Sequence, residues 1–318
     1  MSPRRKLGKR LFRSLLPIAL TVVVAVVGAL GYIVYCTSAP TKRPYLLTPE
    51  SFQRISGRVL RVSDETWSNP DGTRARGWLL KGAEGAPAVI LLHRYGADRS
   101  FMFNLGVKIN ETTNFTILWP DLRGHGMSPP VKRTSFGTRE GEDLLAALDF
   151  LRNAKSDAKK KLVGDRFGVY GVELGAYAAL KAARADSQIK VLVLDSIQRE
   201  PNELLRDSVT KCLGVDIGPV QSLSRLATWI SYFGTYDNTP ACEFASALRE
   251  QHVLLLSGAD AGYLKESTAS LQTCFANKAN VEARTDLPLS GFSSPSATGE
   301  QGEAYDRIVI DFFDTYLR

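Results

Sequence analysis

Histidine is scarce in this chain: its 318 residues include three, and none follows His252. Cysteine is scarce as well. The four cysteines lie far apart, and neither a CxxC pair nor a neighbouring histidine forms a zinc-binding pattern. The sequence therefore predicts no metal site and no cofactor.

Most of the chain also lacks an excess of charge of either sign. The formal net charge is +7, but six basic residues fall within residues 1–13, which leaves about +1 for the remainder. Basicity that is confined to a tail argues against a nucleic-acid-binding surface. We therefore predict no nucleic-acid partner and a basic cytoplasmic tail over residues 1–13.

A long uncharged segment follows the tail. Residues 14–36 are apolar over a length that can span a bilayer as a helix. The positive charge before it predicts a cytoplasmic N-terminus and an extracytoplasmic C-terminal domain. A cleaved signal peptide, with Val27 and Ala29 before the cut, is the alternative, although apolar sequence continues to Tyr35, beyond a normal signal core. The prediction is a single-pass signal-anchor helix with the membrane as partner.

Export of the C-terminal domain would allow cysteines to oxidise. Cys212 lies in a helical insertion, and Cys242 begins the helix just after it. Cys274 is expected late in the helix that follows the strand 252–258. If that helix runs parallel to its neighbour, Cys274 is beyond disulfide reach of Cys242. The sequence therefore predicts a Cys212–Cys242 disulfide, with Cys274 as a buried free thiol.

Beyond a linker over residues 37–50, short apolar runs alternate with helical patterns through residues 51–318. An opening hairpin turns at residues 69–72, and residues 197–240 interrupt the alternation with two helical segments that resemble a small lid. Such alternation predicts a mostly parallel, doubly wound α/β sheet. The predicted strand runs are 88–93, 115–120, 167–172, 189–195 and 252–258, with a weaker run near 280.

Two helices have recognisable sequence signals. Thr138 is placed to cap the start of the helix that follows it. The last helix of the chain carries an apolar stripe at helical spacing, which indicates a face that packs on the sheet. The stripe consists of Tyr305, Val309, Phe312 and Tyr316.

Three motifs occur in an order and spacing that resemble the α/β-hydrolase family, in its serine-aminopeptidase-like and acyl-esterase-like branch. VILLHRYGADRS (89–100) resembles the strand and oxyanion loop, DLRGHGMS (121–128) the loop after the next strand, and GVYGVELGAYAAL (168–180) the nucleophile elbow. The resemblance covers about residues 55–318 and implies an α/β-hydrolase fold with a short helical lid.

The resemblance also places the catalytic positions, and most of them depart from the family pattern. Glu173 stands at the nucleophile position and Phe292 at the histidine position, while Asp260 is the carboxylate available at the acid position. The oxyanion loop reads His-Arg where the family has His-Gly. The residues implied for the oxyanion loop and pocket are His93, Arg94, Tyr95 and Leu174.

The histidines offer no evident general base. In the family the residue at His125 is structural, and the residue at His93 packs beneath the oxyanion loop. His252 begins a strand, so it lies roughly 20 Å from the elbow at the opposite end of the sheet. A glutamate is also one methylene longer than the aspartate nucleophile of some relatives, which would misplace the attacking oxygen. Glu173 as a general base with a raised pKa remains an alternative.

These departures predict a membrane-anchored, catalytically inactive α/β hydrolase that binds a small molecule or a protein at the lidded pocket. The alternatives are an active hydrolase of ester, amide or peptide bonds with a rearranged site, and a structural or scaffolding protein. Because a buried unpaired carboxylate is costly, we also predict an ion pair between Arg94 and Glu173 across the former active site. The alternative has Arg94 turned outward to solvent.

Overall fold

A computed structural model describes residues 3–40, 43–127, 129–293 and 299–318, with only the main chain for residues 3–13. Its strands are β1 (Val62–Ser68), β2 (Arg74–Leu80), β3 (Ala86–Leu92), β4 (Thr116–Pro120), β5 (Val163–Val172), β6 (Ile189–Asp195), β7 (His252–Gly258) and β8 (Val281–Leu287). They form one eight-stranded sheet in the order β1-β2-β4-β3-β5-β6-β7-β8. The pairs β1–β2 and β2–β4 are antiparallel and the other pairs are parallel, which confirms the predicted sheet.

Helices connect the strands and precede them. They are α1 (Pro3–Ser38), α2 (Pro49–Ser56), α3 (Phe103–Thr113), α4 (Glu140–Asn153), α5 (Leu174–Ala185), α6 (Pro201–Leu213), α7 (Gly218–Ser231), α8 (Ala241–Ala247), α9 (Leu264–Leu271) and α10 (Glu300–Leu317).

The chain forms two compact units. The sheet unit comprises Ser38–Leu204 and Asp237–Arg318, and the helical unit comprises Met1–Thr37 and Leu205–Tyr236. The helices α6 and α7 fall inside the stretch 197–240 that the sequence marks as an insertion. That this insertion acts as a lid stays a prediction.

The central strands are the continuous apolar runs found in the sequence. Every residue of β3 from Ala88 to Leu92 is fully buried, as are most residues of β5, β6 and β7. Burial on both faces explains why these runs lack the alternation of polar and apolar residues that a half-exposed strand shows. The edge strand β8 does alternate between buried or half-buried and exposed residues, which accounts for its weaker signal.

The N-terminal part of the helical unit contains a candidate membrane span. The segment Ser14–Ser38 of α1 is long and apolar enough to cross a bilayer. A signal sequence meets the same criterion, and the anchor and its orientation stay predictions.

The predicted cap of α4 is wrong. Thr138 uses its hydroxyl to donate to the main-chain oxygen of Asp237, 3.2 Å away, and the N-cap residue Arg139 makes no side-chain cap. Instead, the buried carboxylate of Glu140 accepts from main-chain N–H groups that precede the helix, including that of Gly137 at 2.9 Å. The first turn is thus held by a residue within the helix.

The apolar stripe of α10 is confirmed. Tyr305, Val309 and Phe312 are buried, and the half-buried ring of Tyr316 stacks on His252 with 4.2 Å between ring centroids. The helix therefore packs one face on the sheet along the predicted line.

The predicted cysteine pairing is wrong. The four cysteines form the disulfides Cys36–Cys212 and Cys242–Cys274, with Cα–Cα distances of 6.3 and 5.2 Å. The prediction assumed that the helix after β7 continues to Cys274. Instead α9 ends at Leu271, and a 3₁₀ turn brings Cys274 beside the first turn of α8, where Cys242 lies.

We expect peptide mapping under non-reducing conditions to recover these two links. Replacing both Cys242 and Cys274 by Ala removes a cross-link between residues 32 apart. The chain-entropy model predicts a loss of about 3–4 kcal/mol in the free energy of unfolding, measured by urea denaturation. Reductant should then have a smaller effect on the variant than on the wild type. A peptide that joins Cys212 to Cys242 would contradict this structure.

Candidate functional site

The elbow between β5 and α5 has the geometry of a nucleophile turn. Glu173 adopts φ 49° and ψ −106°, a region that a residue with a side chain rarely occupies. A Cβ at Gly171 would overlap the main chain of Gly175, and one at Gly175 would overlap the main chain of Leu92. The two glycines therefore keep the turn tight whatever side chain stands at position 173.

The Glu173 side chain points to the oxyanion loop. It is 4% exposed, and its Oε2 accepts a hydrogen bond from the main-chain N–H of Tyr95 at 2.9 Å. Tyr95 lies in the loop after β3, the loop that supplies one of the two oxyanion-hole N–H groups in this kind of fold. In a hydrolase of this fold such an N–H group would stabilise a substrate oxyanion, whereas the Tyr95 N–H is bonded to a carboxylate of the protein itself.

Arg94 lies between two aromatic rings. Its guanidinium carbon is 5.1 Å from the ring centroid of Phe101 and 5.1 Å from that of Phe292, within the range of cation–π attraction. One guanidinium nitrogen also donates to the main-chain oxygen of Tyr95 at 3.1 Å. Packing against these two rings therefore fixes the orientation of the guanidinium group as much as charge does.

The predicted contact ion pair is wrong, and so is its alternative. Among the ion pairs of the described residues, none joins Arg94 to Glu173. Arg94 is nevertheless half-buried and does not extend into solvent. Burial lowers the pKa of Arg94, and the negative charge of Glu173 acts in the opposite direction. The two groups therefore attract each other without direct contact.

Asp260, which the resemblance places at the acid position, is bonded to the loop that carries Phe292. Asp260, in a short turn after β7, accepts hydrogen bonds from the main-chain N–H of Ser290 at 2.7 Å and from the Ser290 hydroxyl at 2.9 Å. It also accepts from the Ser293 hydroxyl at 2.6 Å. Phe292 lies between these two residues in the loop, so Asp260 holds the segment that carries the aromatic ring.

His93 packs beneath the oxyanion loop, as the resemblance implies. Its Nε2 accepts from the main-chain N–H of Leu122 at 3.0 Å, and its Nδ1 lies 2.8 Å from the main-chain oxygen of Arg94. Because Nε2 accepts this hydrogen bond, the proton of the neutral ring must be on Nδ1. Burial lowers the pKa of His93 to about 4, and both ring nitrogens are engaged by the main chain.

The other two histidines are also accounted for. His125 repeats the same arrangement, with Nε2 accepting from the N–H of Gly96 at 3.0 Å and Nδ1 2.8 Å from the main-chain oxygen of Arg123. Burial lowers the pKa of His125 to about 3. His252 begins β7 and stacks on Tyr316. The structural positions of His93 and His125 agree with those that the resemblance implies, and His252 begins its strand as predicted.

Asp195 is a site residue that the sequence analysis missed. It ends β6, is fully buried, and accepts hydrogen bonds from the N–H of Gly291 at 2.9 Å, the Tyr305 hydroxyl at 2.5 Å and the Ser196 hydroxyl at 2.6 Å. Burial raises its pKa to about 6. A carboxylate at the end of an apolar strand beside the elbow was a visible signal. Through its hydrogen bond with Gly291, Asp195 stabilises the loop of Phe292 together with Asp260.

The described structure brings the predicted pocket residues to one edge of the sheet. Leu174, the first residue of α5, is fully buried, and Glu173 contacts Tyr95 in the oxyanion loop. A cleft of about 190 Å³ lies beside this loop within the sheet unit. Its lining includes Arg43, Arg94, Gly96, Phe101 and Gly124. Within the described ranges no group of three or more His, Cys, Asp or Glu residues could hold a metal, and the expectation of no cofactor stays a prediction.

Comparison with known proteins identifies the fold. No protein-family model matches the chain. The esterase Pf2001 of Pyrococcus furiosus superposes with a TM-score of 0.65 at 18% sequence identity, over 88% of this chain and 98% of the esterase. Other matching structures include a dienelactone hydrolase from Anabaena variabilis and a thermophilic esterase from Thermogutta terrifontis. The chain has the α/β-hydrolase fold.

Similarity to curated sequences is partial. The thiohydrolase aneE of Aspergillus aculeatus is 23% identical over 39% of this chain, and the polyketide transferase ATR5 of Stachybotrys chlorohalonatus is 25% identical over 53%. These matches span only 37% and 54% of the respective relatives.

The raised pKa of Asp195 predicts a pH dependence of stability. Because its folded-state pKa, about 6, exceeds that of an unfolded aspartate, about 3.9, the folded protein binds this proton more tightly. The stabilisation is fully present below about pH 4 and is lost as pH rises through about 6. The wild-type free energy of unfolding, taken relative to Asp195→Asn, should therefore fall by up to about 3 kcal/mol from pH 4 to pH 7.

Urea denaturation at a series of pH values measures this difference. Tyr305→Phe is the matched control, because it removes one hydrogen bond to the carboxylate but leaves the titrating group in place. That variant should keep the pH dependence. A difference between wild type and Asp195→Asn that does not change with pH would contradict the assignment.

Proposed function

We propose that this chain is a catalytically silent α/β hydrolase that is anchored in a membrane by residues 14–36 and acts by binding. The observation that carries the proposal is the hydrogen bond from the Tyr95 N–H to the Glu173 carboxylate, 2.9 Å long. It supports inactivity because one side chain replaces the nucleophile and also occupies an oxyanion donor.

The chemistry of acyl transfer makes this contact decisive. A hydrolase of this fold needs a nucleophile, a histidine to take its proton and N–H donors for the developing oxyanion. A carboxylate at the elbow would repel that oxyanion. The neutral rings of His93 and His125 are bonded to the main chain at both nitrogens, so neither is arranged to take a proton from position 173.

The cleft beside Arg94 supports binding of a small anionic molecule. Arg43 lines the same cleft, and its positive charge contributes to lowering the pKa of Arg94. Asp98 also lines it, but its carboxylate accepts hydrogen bonds from the N–H and hydroxyl of Ser100. Two guanidinium groups beside a carboxylate that already has donors favour a ligand with a carboxylate or phosphate group.

Three features support an extracytoplasmic location for the hydrolase-like domain. The N-terminal segment is basic before the apolar span, as in proteins with a cytoplasmic N-terminus. The span Ser14–Ser38 is long enough to cross a bilayer. All four disulfide-bonded cysteines lie at or beyond the C-terminal end of this span, and disulfides persist in oxidising compartments.

We expect the purified protein to hydrolyse p-nitrophenyl esters no faster than background and to remain unlabelled by a fluorophosphonate probe. Glu173→Ser alone should behave in the same way, because a serine without a general base is a weak nucleophile. The double variant Glu173→Ser, Phe292→His adds a base on the loop that Asp260 holds, and it is the matched comparison. Wild-type turnover that disappears in Glu173→Gln would contradict the proposal.

Membrane topology is tested separately. After alkaline extraction the full chain should stay in the membrane pellet, and protease added on the outer side should digest the hydrolase-like domain. The basic tail over residues 1–13 should be protected in intact cells. Release of a soluble chain that begins near residue 30 would show that the segment is a cleaved signal peptide.

A further inference from the structure

The helix α7 is amphipathic in the inverted sense. Its buried residues Gln221, Ser224 and Thr228 are polar, and they recur at helical spacing. The opposite side is apolar and exposed, and it continues two residues beyond the helix, to Phe233. A helix on the surface of a water-soluble protein normally shows the reverse pattern. The exposed apolar residues are Leu223, Leu226, Trp229, Ile230 and Phe233, the last 92% exposed.

The inward polar face has specific partners within the helical unit. The side-chain amide of Gln221 donates to the Thr210 hydroxyl at 3.2 Å and to the Asp216 carboxylate at 3.1 Å. The hydroxyl of Ser224 donates to a main-chain oxygen of α7. The polar face therefore connects α7 to α6 and to the loop between them, and this orientation turns the apolar face outward.

A disulfide connects this pair of helices to the end of the candidate span. Cys36 lies near the C-terminal end of Ser14–Ser38, and it is bonded to Cys212 in the last turn of α6. The span has 25 residues, about 37 Å at 1.5 Å per residue, compared with about 30 Å for a hydrocarbon core. The disulfide is therefore expected at the membrane surface, and α7 begins six residues after Cys212.

Exposed aromatic residues occur on both segments that the disulfide Cys36–Cys212 connects. Tyr32 and Tyr35 near the end of the span are exposed, as are Trp229 and Phe233. Tryptophan and tyrosine are enriched where a protein crosses the interface between lipid and water. Exposed tyrosine near the end of the span and exposed tryptophan on α7 therefore favour a lipid surface as the partner of this face.

We propose that the apolar face of α7, together with Phe233, inserts into the membrane leaflet next to the C-terminal end of α1. The occupant of this face is the lipid bilayer. The proposal rests on the proposed anchoring by residues 14–36, because the disulfide brings α7 to a membrane only if that segment spans one. An exposed apolar patch of this kind marks an interaction site, and lipid is the partner that the neighbouring span supplies.

Tryptophan fluorescence can test the contact in the full chain. Trp67, Trp78 and Trp119 are at most 8% exposed, whereas Trp229 is 51% exposed. In phosphatidylcholine vesicles, lipids with brominated acyl chains should remove about half or more of the Trp229 emission, since interfacial helices bury their apolar face about 5–10 Å deep. Iodide in the aqueous phase should have little effect. Trp229→Phe identifies which part of the emission belongs to this residue.

Matched variants address the face itself. Leu226 lies on the apolar face, so Leu226→Gln should weaken quenching of Trp229 by lipid. Arg225 is its exposed neighbour on the flank of the helix, and Arg225→Gln should leave the quenching unchanged. Quenching by iodide rather than by lipid would overturn the proposal. Protection from both quenchers would also overturn it, since it would mean that a second copy or another protein covers the face.

The anchor is tested independently in the same vesicles. If the chain stays with the vesicles at alkaline pH but Trp229 is not quenched by lipid, the anchor stands and the contact of α7 is wrong. If the chain leaves the vesicles, the anchoring proposal itself is wrong.

Discussion

A carboxylate buried at the turn after β5 must have hydrogen-bond donors, and this requirement organises the candidate site. Gly171 and Gly175 have no room for a Cβ, which keeps the turn tight, and the side chain of Glu173 projects toward the loop after β3. The Tyr95 N–H meets it there. Leaving either group without a partner would cost about 1–3 kcal/mol or more, since both are removed from water. The positive charge of Arg94 adds a longer-range attraction.

The loop that would carry a catalytic histidine keeps its attachments although the histidine is absent. Asp260 accepts from Ser290 and Ser293, and Asp195 accepts from Gly291. These bonds satisfy main-chain N–H groups that would otherwise be unpaired, so they stabilise the fold independently of any reaction. The ring of Phe292 can therefore replace an imidazole without loosening the loop, and it contacts Arg94 instead. These contacts would hold the loop in place whether or not the protein catalyses a reaction.

The parts of this structure that follow from local pattern could be predicted from the sequence. Buried parallel strands are continuous apolar runs, and the glycines around Glu173 indicate a turn that excludes larger side chains. Apart from the cap of α4, which is local, the errors concern contacts between distant segments. The pairing of Cys242 with Cys274 depends on where α9 ends, which a helical pattern does not determine to within a turn. The position of Arg94 depends on two phenylalanine rings that come from distant segments, a 3₁₀ helix and a loop, and attraction between opposite charges alone suggested the wrong partner.

The central claim is that the Glu173 carboxylate occupies the oxyanion donor of the loop after β3. A crystal structure of the protein in which side chains are resolved tests it most directly. We expect the Tyr95 nitrogen about 2.9 Å from a carboxylate oxygen of Glu173, with the guanidinium of Arg94 between the rings of Phe101 and Phe292. A carboxylate turned away from the loop, with the Tyr95 N–H facing an open cavity, would contradict the account and return the site to the class of possible active hydrolases.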